Sequence, residues 1–226
     1  MFEKREKLVF SLLEEAEKNF EFTVIGGYAV NAFTPPRFSV DCDIVVKDPK
    51  TMRRIEAFLK KKGFIRKIKG TTIGQNGEFI SLKSTDGSMA TFDIMSQVVE
   101  DRLSGLNFPA GLLFKHSSKK IIYGKSSPIR IEVLTADPEI LFAMKAASAR
   151  TTDIRDMFML ASININRKKL IEIQKLVKVP EESLQKAAKA VNSKDFTDSL
   201  QGVYGKLPET QIAATKKKLM ALLKIL

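Results

Sequence analysis

Gly26-Gly27 is followed, after thirteen residues, by Asp41-Cys42-Asp43. The segment Ser39–Val46 around these aspartates is predicted as a strand. Side chains alternate faces along a strand, so Asp41 and Asp43 point the same way. Val40, Cys42 and Ile44 then point the other way, into a core. Two adjacent carboxylates repel each other unless a cation sits between them, and Mg²⁺ prefers oxygen ligands of this kind. The glycine pair opens a short helix and lets backbone N–H groups approach a phosphate. A third acid, Asp93, falls on a later strand, Met89–Met95, with Phe92 and Ile94 on the opposite face. The glycine pair and the Asp41/Asp43 pair at this spacing point to a metal–phosphate site.

The elements that must position these groups follow from periodicity and punctuation. A first helix spans 2–19, with Phe2, Leu8, Val9, Leu12, Leu13 and Ala16 along one stripe. Glu21–Ile25 is a short apolar strand ending at the glycines. Tyr28–Phe33 is a short helix stopped by Pro35-Pro36. Asp48-Pro49 caps and starts a helix that runs to about Lys62 and ends at Gly63. Strands are predicted at Phe64–Ile68 and Phe79–Lys83, with turn chemistry at Gly74–Gly77 and Asp86-Gly87. Further strands are predicted at Leu112–Phe114, Lys120–Tyr123 and Ile129–Leu134. Beyond Asp137-Pro138 the pattern is helical: 139–149, 153–163, 167–178, 181–192 and about 209–226. The last carries an apolar stripe of Ile212, Leu219, Leu222, Leu223 and Leu226. The fold class expected is α+β, with a mixed sheet and flanking helices in 1–136 and a basic helical domain in 137–226.

Composition narrows the setting. The 226 residues are 44% hydrophobic, enough for a real core. Cys42 is the single cysteine, so there is no disulfide framework and a reducing, cytoplasmic location is expected. The charged N-terminus is not a secretory signal, and no apolar run is long enough to cross a bilayer. The formal net charge of +12 suggests a polyanionic partner such as RNA or DNA. From Arg167 onward, 13 Lys/Arg face 6 Asp/Glu, which gives +7 of that surplus.

The order Ile25-Gly26-Gly27, Asp41-Cys42-Asp43, Asp93 resembles the nucleotidyltransferase superfamily with the DNA polymerase beta-like fold. Arg37-Phe38-Ser39 resembles the Arg-x-Thr/Ser of its AbiEii-like toxin branch. Leu141–Lys145 and Ala149–Phe158 are similar to that branch's helical motif, a Lys followed by a Lys/Arg-x-Asp-x-x-Asp run. Position 27 is Gly where many members carry Ser, and Thr151-Thr152 stands where Lys or Arg is common. The resemblance implies transfer of a nucleoside monophosphate from an NTP to an acceptor hydroxyl. Asp41, Asp43 and Asp93 would be the catalytic and metal-binding acids, with Mg²⁺ or Mn²⁺. Gly26, Gly27, Arg37, Ser39, Lys145 and Asp156 would bind the nucleotide, with Asp153 and Asp156 placed to orient Lys145 or the acceptor, or else to serve in helix capping and salt bridges. It also implies a toxin-like protein with tRNA as a possible acceptor and an antitoxin partner. The alternative is a catalytically silent module of the same fold that binds nucleic acid or protein. His116 is expected on the surface, and Cys42 as inert packing.

Overall fold

The computed structural model describes residues 2–73, 77–126, 128–193 and 195–226. The chain forms two compact units. The first comprises residues 1–32, 36–100 and 108–136, and the second 33–35, 101–107 and 137–226.

From Phe2 to Ala136 the elements are α1 (Phe2–Glu17), β1 (Thr23–Ile25), α2 (Gly26–Val30), β2 (Asp41–Val46), α3 (Pro49–Lys61), β3 (Phe64–Ile73), β4 (Gly77–Ser84), β5 (Thr91–Ser96), β6 (Val98–Glu100), β7 (Asn107–Pro109), α4 (Ala110–Lys115), β8 (Ser117–Tyr123) and β9 (Arg130–Ala136). Seven strands make one mixed sheet in the order β3-β4-β5-β2-β1-β9-β8. β2 runs parallel to β5 and β1 parallel to β9; the other neighbours are antiparallel. A parallel pair needs a long crossover, and here α3, β3 and β4 lie between β2 and β5 in sequence.

Local chemistry explains where α3 begins and ends. Asp48 accepts from the Thr51 backbone N–H at 2.8 Å and from its hydroxyl at 2.9 Å, and Pro49 occupies the first turn. Met52, Ile55 and Leu59 are buried at the spacing of one helix face. Gly63, at φ +84°, turns the chain into β3. Central strands are buried on both faces beyond the acids: Ile44, Val45 and Val46 of β2 are at most 1% exposed.

Four expectations need correction. Leu112–Phe114 is helical, within α4, because Pro109 fixes an extended entry and a three-residue apolar run carries no period of its own. Only Leu113 of that run is buried. His116 is not on the surface: it is 6% exposed, and its backbone N–H closes α4 on the Leu112 and Leu113 carbonyls. Val40 is 58% exposed and precedes β2, which begins at Asp41, so the strand alternation does not reach it. Phe2 is 53% exposed; it leaves the α1 stripe and stacks on Phe38, with ring centroids 4.9 Å apart. The turn expected at Gly74–Gly77 includes residues 74–76, which lie outside the described residues.

The second unit contains α5 (Pro138–Ser148), α6 (Thr151–Ser162), α7 (Arg167–Val177), α8 (Glu181–Val191), α9 (Asp195–Tyr204) and α10 (Glu209–Leu223). α5 packs on α6, α7 and α8, and α10 packs on α6. The helix α9 was absent from the sequence expectation. Its Phe196, Leu200 and Tyr204 recur every fourth residue and are buried, but Asp, Thr, Ser and Gly between them are weak helix formers. Among the described residues no helix is long and apolar enough to cross a membrane.

The buried Glu56 of α3 ties that helix to β3. Arg66 Nη2 donates to Glu56 Oε2 at 2.6 Å, and Lys60 Nζ lies 2.8 Å from Oε1. The Arg66 guanidinium, opposed by burial and helped by Lys60, holds the Glu56 carboxyl down from an ordinary 4.5 to about 2. A depressed carboxyl stabilises the fold above its unfolded pKa and loses that stabilisation as pH falls through its folded one. Glu56→Gln should therefore cost about 2 kcal/mol at pH 7. Urea denaturation should show the two proteins converging in stability between pH 4.5 and about 2.

Candidate active site

The strand registers bring the predicted acids to one face. Antiparallel β1 sets Ile25 beside Asp43. Parallel β5 sets Asp93 beside Asp43 and Thr91 beside Asp41. On the far side of β5, antiparallel β4 sets Ser81 beside Asp93. Residues paired across neighbouring strands share a face, and Asp41 lies two positions from Asp43, so all three carboxylates emerge together. Each is part-exposed, whereas Cys42, Phe92 and Ile94 behind them are buried. Ser81, itself 3% exposed, donates from Oγ to Asp93 Oδ1 at 2.6 Å.

The two glycines let neighbouring side chains approach closely, and Gly26 also needs a left-handed backbone. Gly26 follows β1 directly and takes φ +67°, turning the chain into α2. A Cβ there would lie 2.1 Å from Asp43 Oδ2. At Gly27 a Cβ would lie 2.5 Å from Ser39 Oγ and 2.9 Å from Arg37 Nη2. The bare glycine backbone thus lets Asp43 close on Gly26, and Ser39 and Arg37 close on Gly27. The lead-in to β2 is pinned by its own bonds. Arg37 Nη1 donates to the Phe38 carbonyl at 3.0 Å, and Ser39 Oγ to the Asp41 carbonyl at 3.1 Å.

Two residues of this site escaped sequence reasoning. One is Ser81. The other is Asn31, fully buried after α2, which donates from Nδ2 to the Arg37 carbonyl at 2.8 Å while its Oδ1 accepts from the Arg37 N–H at 3.1 Å. It clamps both backbone groups of the arginine. Its only sequence signal is a lone amide in an apolar run, which marks burial without naming a partner.

The electrostatic signature of the acids appears on Cys42. Burial pushes its thiol well above the usual range, and the neighbouring charges of Asp43, Asp93 and Asp41 push it further. A thiol held neutral in this way is packing, not a nucleophile.

Lys145 and Asp156 belong to the second unit and meet there. Ala149, in a left-handed conformation at φ +43°, ends α5 and turns the chain toward α6. This brings Lys145 Nζ to 2.7 Å from Asp153 Oδ1 and 3.0 Å from Asp156 Oδ2. Arg150 Nε lies 2.6 Å from Asp153 Oδ2, and Tyr204 donates its hydroxyl to Asp156 Oδ1 at 2.9 Å. Asp153 and Asp156 are buried, and the Lys145 side chain is 11% exposed. Burial would pull the ammonium pKa down, but Asp156 and Asp153 outweigh it and leave it raised.

The acid face suits a hard divalent cation in donor chemistry. Among the described residues, however, no three Asp, Glu, His or Cys side chains are already gathered as a metal-binding group. Mg²⁺ commonly takes one or two carboxylates plus substrate phosphates rather than an all-protein cage. Asp43 with Asp93, flanked by Asp41, fits that pattern.

The mixed sheet with its acid-bearing central strands defines the nucleotidyltransferase fold class, and solved structures agree. The chain is similar to MenT4, a nucleotidyltransferase toxin from Mycobacterium tuberculosis H37Rv, at 15% identity and TM-score 0.57, over 99% of this chain and 84% of that one. It is also similar to a candidate nucleotidyltransferase from Helicobacter pylori, at 12% identity and TM-score 0.50, over 99% and 93% of the two chains. Residues 7–224 match the family described as nucleotidyl transferase AbiEii toxin, Type IV TA system. The chain belongs to the AbiEii nucleotidyltransferase toxin family. A comparison with curated proteins finds no match.

Three substitutions test the geometry. Gly26→Ala adds a left-handed penalty of about 1–2 kcal/mol to a collision with Asp43, whereas Gly87→Ala, at φ +78° with open space around it, adds only the first. Thermal denaturation should therefore show the larger fall for Gly26→Ala. Lys145→Met leaves buried Asp153 and Asp156 without their shared cation and should cost about 3–5 kcal/mol in urea denaturation.

Proposed function

We propose that this protein transfers a nucleoside monophosphate from an NTP to an acceptor hydroxyl, using Mg²⁺ or Mn²⁺ held by Asp41, Asp43 and Asp93. The observation that carries this reading is the pairing of Asp43 with Asp93 in register on parallel strands, with the Cβ-less Gly26 against Asp43. When bound, the divalent cations would supply charge neutralisation and a more acidic attacking hydroxyl. The acceptor oxygen bonds to the α-phosphorus, the α–β phosphoanhydride bond breaks, and pyrophosphate leaves with its electron pair while the hydroxyl proton passes to water.

The protein's own residues bind and orient. The Gly26-Gly27 backbone and, on releasing the Asp41 carbonyl, the Ser39 hydroxyl hold phosphate oxygens, and Arg37 offsets charge growing on the departing pyrophosphate. Lys145, its ammonium fixed by Asp153 and Asp156, is assigned to nucleotide binding as well. Residues 1–136 act as the catalytic domain and 137–226 as the basic helical domain. The +7 excess after Arg167 supports a polyanionic acceptor, with tRNA the leading candidate. The toxin–antitoxin description of the family supports an antitoxin partner. The single buried cysteine supports a cytoplasmic setting.

The test is to incubate the protein with Mg²⁺, each α-labelled NTP in turn and total tRNA, beside an Asp41→Ala/Asp43→Ala control. Label on RNA that vanishes in the control is the expected result. Label on protein instead would replace the acceptor and keep the reaction. Absence of any label, together with no rise in Tm on adding Mn²⁺ and any NTP, would overturn the reading in favour of a silent module.

A further inference from the structure

We propose that Ser81 is a positioning residue that fixes the Asp93 carboxylate for divalent-cation binding, an inference that rests on the nucleotidyltransferase reading above. Ser81 lies on β4, the strand beyond β5, which carries Asp93. Its neighbours Ile80 and Leu82 are fully buried and apolar, and Ser81 itself is 3% exposed. A buried hydroxyl is costly unless bonded, and this one is bonded to Asp93 Oδ1 at 2.6 Å, the length of a charge-assisted O–H···O⁻ contact.

The placement gives the bond a direction. Asp93 sits between Asp43 on β2 and Ser81 on β4, all three in register. The like charge of Asp43 drives the Asp93 carboxylate to rotate about its side-chain bonds. The hydroxyl on the other side holds Oδ1 in one orientation, so Asp93 need not be re-ordered when a cation arrives. A serine carries a single hydroxyl proton, and here that proton is committed to Asp93. Carboxylates that ligate metals commonly depend on such outer partners, and losing one typically weakens metal affinity about 10–100-fold.

The test compares wild type, Ser81→Ala and Ser81→Thr. One readout is the Tm rise produced by titrating Mn²⁺ at a fixed concentration of a non-hydrolysable NTP analogue. The other is kcat and the Mg²⁺ concentration at half-maximal transfer. Ser81→Ala should need about 10-fold more Mn²⁺ for the half-maximal shift and show a similar rise in half-saturating Mg²⁺. The NTP KM at saturating Mg²⁺ should change less than twofold, and Ser81→Thr, which keeps the hydroxyl, should restore the cation response. In an Asp93→Asn background, Ser81→Ala should have little further effect, because the two changes remove one interaction. An active wild type with an unchanged Ser81→Ala cation response would overturn the role of Ser81 alone. Equal losses in Ser81→Ala and Ser81→Thr, tracking lowered metal-free Tm values, would overturn it in favour of packing. A wild type with neither transfer nor a Mn²⁺·NTP shift would overturn the functional reading and this inference together.

Discussion

Asp43 and Asp93 place like charges side by side on adjacent parallel strands, and much of the first unit is arranged around that repulsion. At the ~5 Å spacing of neighbouring strands and an effective dielectric constant of about 20, two unit charges repel by about 3 kcal/mol. That is a sizeable fraction of a domain's net stability, which is only about 5–15 kcal/mol. The cost is contained by part-exposure of the carboxylates, by the Ser81 hydroxyl on Asp93, and by neutrality behind them, where burial and then the three acids keep the Cys42 thiol protonated.

The sheet makes this tolerable because its register has little freedom to slip. A shift of one residue in β2 would send Asp41 and Asp43 into the space of Cys42 and Ile44, which are at most 1% exposed. β2 is also held on both sides, by β1 and by β5. The acids thus stand at the end of a strand whose remaining residues, Ile44 to Val46, are committed to the core. Close approach of the glycine turn is the complementary device. A side chain at position 26 would occupy the space of the Asp43 carboxylate, so both cannot be present in this arrangement.

Legibility in the sequence divided along a physical line. Asp41 and Asp43 were readable because a strand's period of two is strict, and the glycines because few other reasons place two together after an apolar strand. Asp93 was readable only through a family pattern, since strand pairing at a separation of fifty residues leaves no local mark. Lys145 stood out as a charge inside an apolar helix, and the structure shows what satisfies it. Ser81 and Asn31 were invisible because a lone small polar residue in an apolar run signals burial but not the atom it bonds. The α4 segment was misread for the opposite reason: Leu-Leu-Phe is strongly apolar yet too short to show a period, so the preceding proline and its surroundings decided. In α9 the stripe was present, but weak propensities between its apolar positions hid it.

The two acid clusters differ in how their charge is met. In the second unit, Lys145 and Arg150 face Asp153 and Asp156, two positive against two negative groups, with Tyr204 donating a further bond. Such a set is satisfied internally, so its burial is compatible with stability. On the first unit's acid face, the bond from Ser81 is neutral, and the field reaching Cys42 from Asp43, Asp93 and Asp41 is uniformly negative. The Ser81 hydroxyl is a neutral donor, which holds the Asp93 carboxylate in place without cancelling its charge.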